Sequence, residues 1–374
     1  MTAMARETRQ RAKTLWVRTP TARYPVWVGA GLLTQSGRRI KSLRPGCRQV
    51  FVISSARVWR LWGARLAAGL RAAGIRAEAL LMDDREEAKR LATVERLAEK
   101  LLERGADRGA LLVAMGGGVV GDVTGFLAAS YMRGVDCVQV PTTLVAQVDS
   151  AIGGKTGVNL RGGKNLLGAF HHPLAVLADV RTLDTLPERE YRSGLYEVVK
   201  CAVLGDGALF RFLERNMAAV LARRPRALRT ALTRALGVKA RIVGRDEREQ
   251  GERRLLNLGH TFGHAFETLS GYRGLRHGEA VGWGLLAATR LAQRLGLLPE
   301  RDARRILCVV VSVGRLPALP QARPERVYAQ LFADKKKQDS ELRFVLPRRI
   351  GRAEVIESVP RRDVLAIVRE LLMQ

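Results

Sequence analysis

Several things are scarce in this chain of 374 residues. Four cysteines (Cys47, Cys137, Cys201 and Cys308) are scattered with no CxxC pair. That excludes a disulfide-stapled scaffold or a cysteine zinc module and reads as a reduced, cytoplasmic thiol set. The longest uncharged runs, 24–37 and 165–178, have 14 residues each and contain proline and glycine, too short to span a bilayer. The basic N-terminus, MTAMARETRQRAK, lacks the apolar stretch of a signal peptide. Aromatics are only 5%, and no zinc finger, RNP pattern or basic-region heptad is present. The formal net charge of +28 is therefore not matched by a nucleic-acid docking motif, and salt-sensitive, nonspecific binding is the most it implies. Lysine is scarce as well: 11 lysines stand against 53 arginines, so the position of a lysine carries information.

What is present is enough apolar residue, 47%, to bury a core. After a basic tail (1–13), short apolar runs alternate with helix-length amphipathic stretches. A β-like hairpin starts at Arg18, followed by runs at 49–53, 77–82 and 110–115 with amphipathic segments 56–73 and 85–104 between them. This alternation predicts parallel strands with helical crossovers, an α/β Rossmann-like domain over 14–186. From 187 to 374 the pattern is mainly α-helical, with segments at 191–204, 208–221, 226–245, 260–269, 279–295 and 300–313. A short β-like piece at 342–346 and a helix after Arg361 complete it. The crevice between two such halves is the expected binding site.

Three constellations could carry chemistry. MGGGVVGDVTGF follows a predicted strand and opens a helix. Its glycines allow a pyrophosphate to approach a helix N-terminus, although a tight turn without ligand has the same pattern. Asp122 is there either a ribose contact or a helix cap. Three of the five histidines fall within 18 residues: His260 and His264 share a helix face, and His277 opens HGEA. With Glu197, three residues before Lys200 on one side of a helix, they offer the imidazole and carboxylate donors of a catalytic Zn²⁺ site. Taken singly, each histidine is equally a hydrogen-bonded structural residue. Finally, Asp149 to Asn165 contains Lys155 and Lys164 among five glycines, read as a flexible cationic loop for a phosphorylated or carboxylated small molecule. The run Asp334 to Lys337, by itself, is a solvated face.

Together MGGGVVGDVTGF, PTTLVAQVDSAIGGKTGVN, RSGLYEVVK, LLNLGHTFGHAFE, HGEAV and DKK before LRFVLP resemble the 3-dehydroquinate synthases of the sugar-phosphate cyclase superfamily, over about 24–347. The resemblance implies an NAD-binding domain followed by a helical metal-binding domain, usually in a cytoplasmic homodimer of the shikimate pathway, acting on a sugar phosphate and binding Zn²⁺ or Co²⁺. Metal ligands would be Glu197, His260 and His277. NAD contacts would fall at Asp84, Glu86, Lys89, Gly117, Gly118, Val119, Gly121, Asp122, Thr142, Thr143, Lys155 and Lys164, with Thr182 and Thr185 as further candidates. Substrate contacts would be Arg133, Asp149, Lys155, Lys164, Asn165, Lys200, Lys239, Arg253, Asn257 and His264, with Lys335 or Lys336. Of these, Asp149, Lys155, Lys200, Lys239, Arg253 and His264 would take part in catalysis. The implied reaction converts 3-deoxy-D-arabino-heptulosonate 7-phosphate to 3-dehydroquinate and phosphate. Another cyclase of secondary metabolism and a metal-dependent alcohol dehydrogenase are the alternative readings. Tyr196 stands where the family usually has a small residue, either narrowing the pocket or packing outward.

Overall fold

The computed structural model describes residues 12–271, 274–333 and 342–373. The chain divides into two compact units, 1–186 and 187–374.

Unit 1 is built on a seven-stranded sheet. Its strands and helices run β1 (Lys13–Arg18), β2 (Arg23–Gly29), α1 (Ser36–Leu43), β3 (Gln49–Ser54), α2 (Ala64–Arg71), β4 (Arg76–Leu81), α3 (Leu91–Glu103), β5 (Leu111–Gly116), α4 (Gly118–Ser130), β6 (Asp136–Pro141), β7 (Lys155–Leu160), β8 (Gly163–Phe170) and β9 (Ala175–Asp179). The sheet order is β1-β2-β9-β6-β5-β3-β4, with only the β1–β2 pair antiparallel. Period-two alternation decides the packing. Val50 and Val52 of β3, with Leu111, Val113 and Met115 of β5, bury one face against α2 through Leu66 and Leu70. Phe51, Ile53 and Leu112 bury the other against α3 and α4 through Val94, Leu97, Val123 and Leu127. Strand order reverses at β3, whose neighbours are β4 and β5, so the carboxyl ends of β3 and β5 mark the switch point where ligands of such sheets bind.

Two expectations need correction. The hairpin begins at Lys13, inside the basic tail, because LWV of β1 pairs along β2 from Lys13↔Val28 to Arg18↔Arg23. From Lys155 on, the glycine-rich segment 149–165 read as a flexible loop belongs to the antiparallel hairpin β7–β8. Of its glycines, Gly157 serves close approach: a Cβ there would lie 2.6 Å from the Leu167 carbonyl oxygen. Val158 is buried in the α3–α4 side of the core and Leu167 packs against it.

Unit 2 contains α5 (Glu188–Gly205), α6 (Gly207–Leu221), α7 (Pro225–Arg245), α8 (His260–Leu269), α9 (His277–Arg294), α10 (Glu300–Ser312), α11 (Pro324–Ala333), the hairpin β10 (Phe344–Arg349) and β11 (Arg352–Ile356), and α12 (Arg361–Leu372). Helix α11 and strand β11 have no counterpart in the sequence expectation. Helix α9 is buried along nearly its whole length and packs against α5, α8, α10 and α12. Two contacts are possible only for glycine. A Cβ on Gly278 would sit 1.8 Å from the carbonyl oxygen of Ser193 in α5, and one on Gly284 would sit 1.8 Å from that of Gly259. Gly259 caps α8 at φ +81, in the left-handed region that glycine enters without steric cost. These contacts bring the backbones of α5, α8 and α9 together where the histidines lie.

Candidate active site

In unit 1 the glycine loop connects β5 to α4. Gly117 occupies the N-cap with no side-chain cap, so the first amides of α4 offer donors and a positive dipole end. A Cβ on Gly117 would meet Thr143 at 3.1 Å and one on Gly121 would meet Gln139 at 2.9 Å, a cradle kept open by missing side chains. Val119 lies in the first turn, and Thr142 donates its backbone N–H to the Gly116 carbonyl at 2.8 Å. This arrangement fits a dinucleotide's phosphates.

Beside the loop, the buried Lys89 ammonium donates to both Asp122 Oδ2 and Asn165 Oδ1. Burial pushes the Asp122 carboxyl up, and Lys89 only partly offsets it; Glu86 and Asp149 add negative charge nearby. Asp84 is exposed in the turn after β4, and Lys155 and Lys164 are exposed on the hairpin. The structure gives Thr182 and Thr185 structural partners. Thr182 donates to the Asp179 carbonyl at 2.7 Å, and Thr185 accepts from Trp62 Nε1 at 2.9 Å. Arg133 is not brought to the loop. It follows the C-terminal end of α4, a helix of 13 residues and so about 20 Å long, while Gly118 opens the other end. Met132 and Arg133 both have positive φ, 49° and 69°, two adjacent strained residues.

In unit 2, Glu197, His260 and His277 converge. Glu197 Oε1 lies 3.3 Å from His277 Nε2 and 3.7 Å from His260 Nε2, and Glu197 Oε2 lies 2.6 Å from Lys200 Nζ. Glu197 and Lys200 are each only 1% exposed, yet neither Glu197 oxygen has a well-aligned hydrogen bond. Two donors on one tetrahedral zinc stand about 3.4 Å apart, given Zn–N and Zn–O bonds near 2.1 Å. Donor types and spacing therefore fit a zinc-like ion. Burial alone would raise the Glu197 carboxyl, but the Lys200 ammonium and the two imidazoles hold it well below the usual carboxylate range. Burial, then Lys200, lowers His260. For His277 burial is outweighed by Glu197 and Glu267, and its value is pushed up to about 10.

His260 Nδ1 faces the Leu258 carbonyl at 3.2 Å, leaving Nε2 toward Glu197. His277 Nδ1 faces Glu267 Oε2 at 3.3 Å. Glu267, with His264 and His277, forms a second donor group sharing one histidine with the first. Sequence reasoning missed Glu267, although it falls three residues after His264 on the same helix face. It also missed Glu279, which accepts from the Arg276 backbone N–H at 2.7 Å and from Arg189 Nε at 2.6 Å, tying the start of α9 to α5.

Lys239 and Arg253 are buried cations, 5% and 4% exposed. Arg253 donates to the Glu247 carbonyl, and Asn257 to Glu249 Oε1 at 3.0 Å. The His264 ring centroid is 5.3 Å from that of His260. Tyr196 does not narrow the site: its ring packs against Gly282 and its hydroxyl donates to the Gly314 carbonyl at 3.2 Å. Lys335 and Lys336 lie outside the described residues. Among the described residues no helix is long and apolar enough to cross a membrane.

Comparisons with known proteins cover most of the chain. Residues 79–193 match the family model for the 3-dehydroquinate synthase N-terminal domain, and 194–337 the C-terminal one. The 3-dehydroquinate synthase of Solibacter usitatus is 46% identical over 356 residues, 95% of this chain and 98% of that protein. Among solved structures, 2-epi-5-epi-valiolone synthase from Streptomyces hygroscopicus subsp. jinggangensis 5008, with NAD⁺ and Zn²⁺ bound, superposes with a TM-score of 0.84 at 33% identity, covering 94% of this chain and 97% of that one. A 2-deoxy-scyllo-inosose synthase complexed with carbaglucose-6-phosphate, NAD⁺ and Co²⁺ gives 0.87 at 27% identity, covering 96% and 100%. Identity over 95% of the chain and both domain models agree: the chain belongs to the 3-dehydroquinate synthase family.

Proposed function

We propose that this enzyme converts 3-deoxy-D-arabino-heptulosonate 7-phosphate to 3-dehydroquinate and phosphate, as a phosphate-eliminating cyclase that is a homodimer of the cytoplasm. The observation that carries the reading is the Glu197–His260–His277 donor set backed by the buried Lys200, in a chain whose family membership is established. The glycine loop would hold NAD⁺, which would supply reversible hydride acceptance at the C5 alcohol, and Glu197, His260 and His277 would hold Zn²⁺ or Co²⁺, which would supply Lewis-acid polarisation of that hydroxyl. NAD⁺ with Zn²⁺ or Co²⁺ in the related structures supports both assignments.

The chain's own residues account for the rest. A ketone at C5 would acidify the C6–H, and phosphate would leave C7 by elimination, with the phosphate's own oxygen taking the C6 proton. Once the C5 alcohol is restored, ring opening and an intramolecular aldol addition would close the carbocycle. Lys200 sets the charge beside Glu197. Lys239 and Arg253, buried cations, hold the substrate's carboxylate and phosphate oxygens, joined by Lys155, Lys164 and a lysine of the Lys335–Lys336 pair. Asn257 and Asn165 supply amide contacts, and Asp149 orients hydroxyls. Arg133 remains a substrate contact of this proposal, although its place beyond α4 keeps it from the glycine loop of its own unit. His264, the third imidazole of the cluster, moves a proton at the leaving phosphate. Asn165, Lys239, Arg253 and His264 suit a carboxylate-bearing substrate, which favours this reaction over cyclases of sugar phosphates that lack a carboxylate. Incubation with the heptulosonate phosphate should yield 3-dehydroquinate and inorganic phosphate in equal amounts. Turnover of a sugar phosphate that lacks a carboxylate instead would move the assignment to another cyclase of the superfamily.

A further inference from the structure

We propose that Asn159, outside every candidate set above, is a positioning residue that locks the cofactor-side and substrate-side groups of unit 1 into one hydrogen-bonded frame. The inference rests on reading Glu86 and Lys89 as cofactor contacts and Asn165 as a substrate contact.

Asn159 is 7% exposed and sits where the β7–β8 register shifts, between Val158↔Leu167 and Leu160↔Gly163. Such a bulge frees a residue from the ladder and re-aims it. Each polar group of Asn159 named here goes to a candidate site residue. Its backbone N–H donates to the Lys89 carbonyl at 2.8 Å. Its Nδ2 donates to Glu86 Oε1 at 2.7 Å, and its Oδ1 accepts the Asn165 N–H at 2.9 Å. The amide orientation follows from the partners, since a carboxylate only accepts and a backbone N–H only donates. Asn165 has φ 55°, a left-handed conformation held by this bond, and from there its side chain accepts from Lys89, which also donates to Asp122. One short amide thus links residues from the turn after β4, from α4 and from both strands of the hairpin. Aspartate would set a second carboxylate against Glu86, and alanine would release both partners.

The test compares wild type, Asn159→Ala and Asn159→Asp by calorimetric NAD⁺ binding, by KM and kcat for the heptulosonate phosphate, and by amide exchange of 161–167 in the ligand-free protein. N159A should raise the NAD⁺ Kd and the substrate KM each by about three- to tenfold, the scale of losing one hydrogen bond to each group, and speed exchange at Asn165. N159D keeps the acceptor, so Asn165 exchange should stay at the wild-type rate while the NAD⁺ Kd rises at least as far as in N159A. Constants within twofold of wild type in N159A, with only a lower melting midpoint, would show a merely structural residue and overturn the proposal. So would N159D loosening Asn165 while leaving NAD⁺ affinity intact. A wild-type chain that binds no NAD⁺ would overturn the cofactor reading and the cofactor half of this frame together, and is distinguishable because the wild type itself fails.

Discussion

Replacing Gly278 by alanine tests whether close backbone packing sets the donor cluster. Gly278 follows His277 at the start of α9, its N–H donates to Ser193 Oγ at 3.0 Å, and Glu197 lies one turn after Ser193 on α5. The new methyl carbon would stand 1.8 Å from the Ser193 carbonyl oxygen. A normal contact needs about 3.5 Å, so α9 must retreat by roughly 1.5 Å. The His277 Nε2 to Glu197 Oε1 distance of 3.3 Å would then open to about 5 Å, beyond the ~3.4 Å span of two donors on one zinc. The strain should cost about 3 kcal/mol, the upper end for overpacking, because the obstacle is backbone and not a mobile side chain. Zinc affinity should fall about 100-fold, at least as far as loss of a ligand-orienting partner. Competition with a chromophoric chelator reads the affinity. NAD⁺ binding, which belongs to unit 1, serves as the control for folding. G278A binding zinc within threefold of wild type, with an unchanged melting midpoint, would refute the reasoning.

Other substitutions test the remaining parts of the account. Gly237→Ala, in the interior of α7 with nothing within 4 Å of the new Cβ, should stabilise by about 0.5–1 kcal/mol, read in thermal melts. Asp206 caps α6 by accepting from the N–H groups of Ala208 and Leu209, each at 3.0 Å, and pairs with Arg234 at 2.8 Å. Asp206→Ala should cost about 1 kcal/mol in denaturant unfolding at neutral pH. Burial would raise the Asp206 carboxyl, but Arg234 and the capping N–H groups outweigh it and hold it below the usual range. Its stabilisation is therefore present above the unfolded value near pH 4 and fades as pH falls toward the folded one. The difference between wild type and D206A should shrink across that interval, and an acid-independent difference would contradict the pairing.

The helices of unit 2 were readable because each carries a 3.6-residue apolar stripe between glycine, proline or charged breaks; 260–269 coincides with α8. Helix α11 was not, because Pro324 at its first turn reads as a break although proline is well tolerated there. Strand β9 is five buried residues whose place in the sheet depends on β2, far away in sequence, and no local pattern reports such pairing. The hairpin glycines signalled mobility from composition, but Gly157 and Gly168 serve close backbone contact between β7 and β8. At the site, scarcity did the pointing: few histidines and few lysines made their positions informative. Asn159 and Gly278 stayed invisible, since each matters only through a partner on another element, whereas Glu267 was legible from its spacing to His264 but was passed over.

The most direct measurement follows phosphate release from the heptulosonate 7-phosphate with NAD⁺ at far below substrate concentration, recording NADH absorbance in the same cuvette, with and without a chelator. The account predicts many phosphates per NAD⁺, no lasting NADH, and loss of turnover on chelation that returns with Zn²⁺ or Co²⁺. NADH accumulating without phosphate release, from folded and metal-loaded protein, would contradict it and make the chain a dehydrogenase.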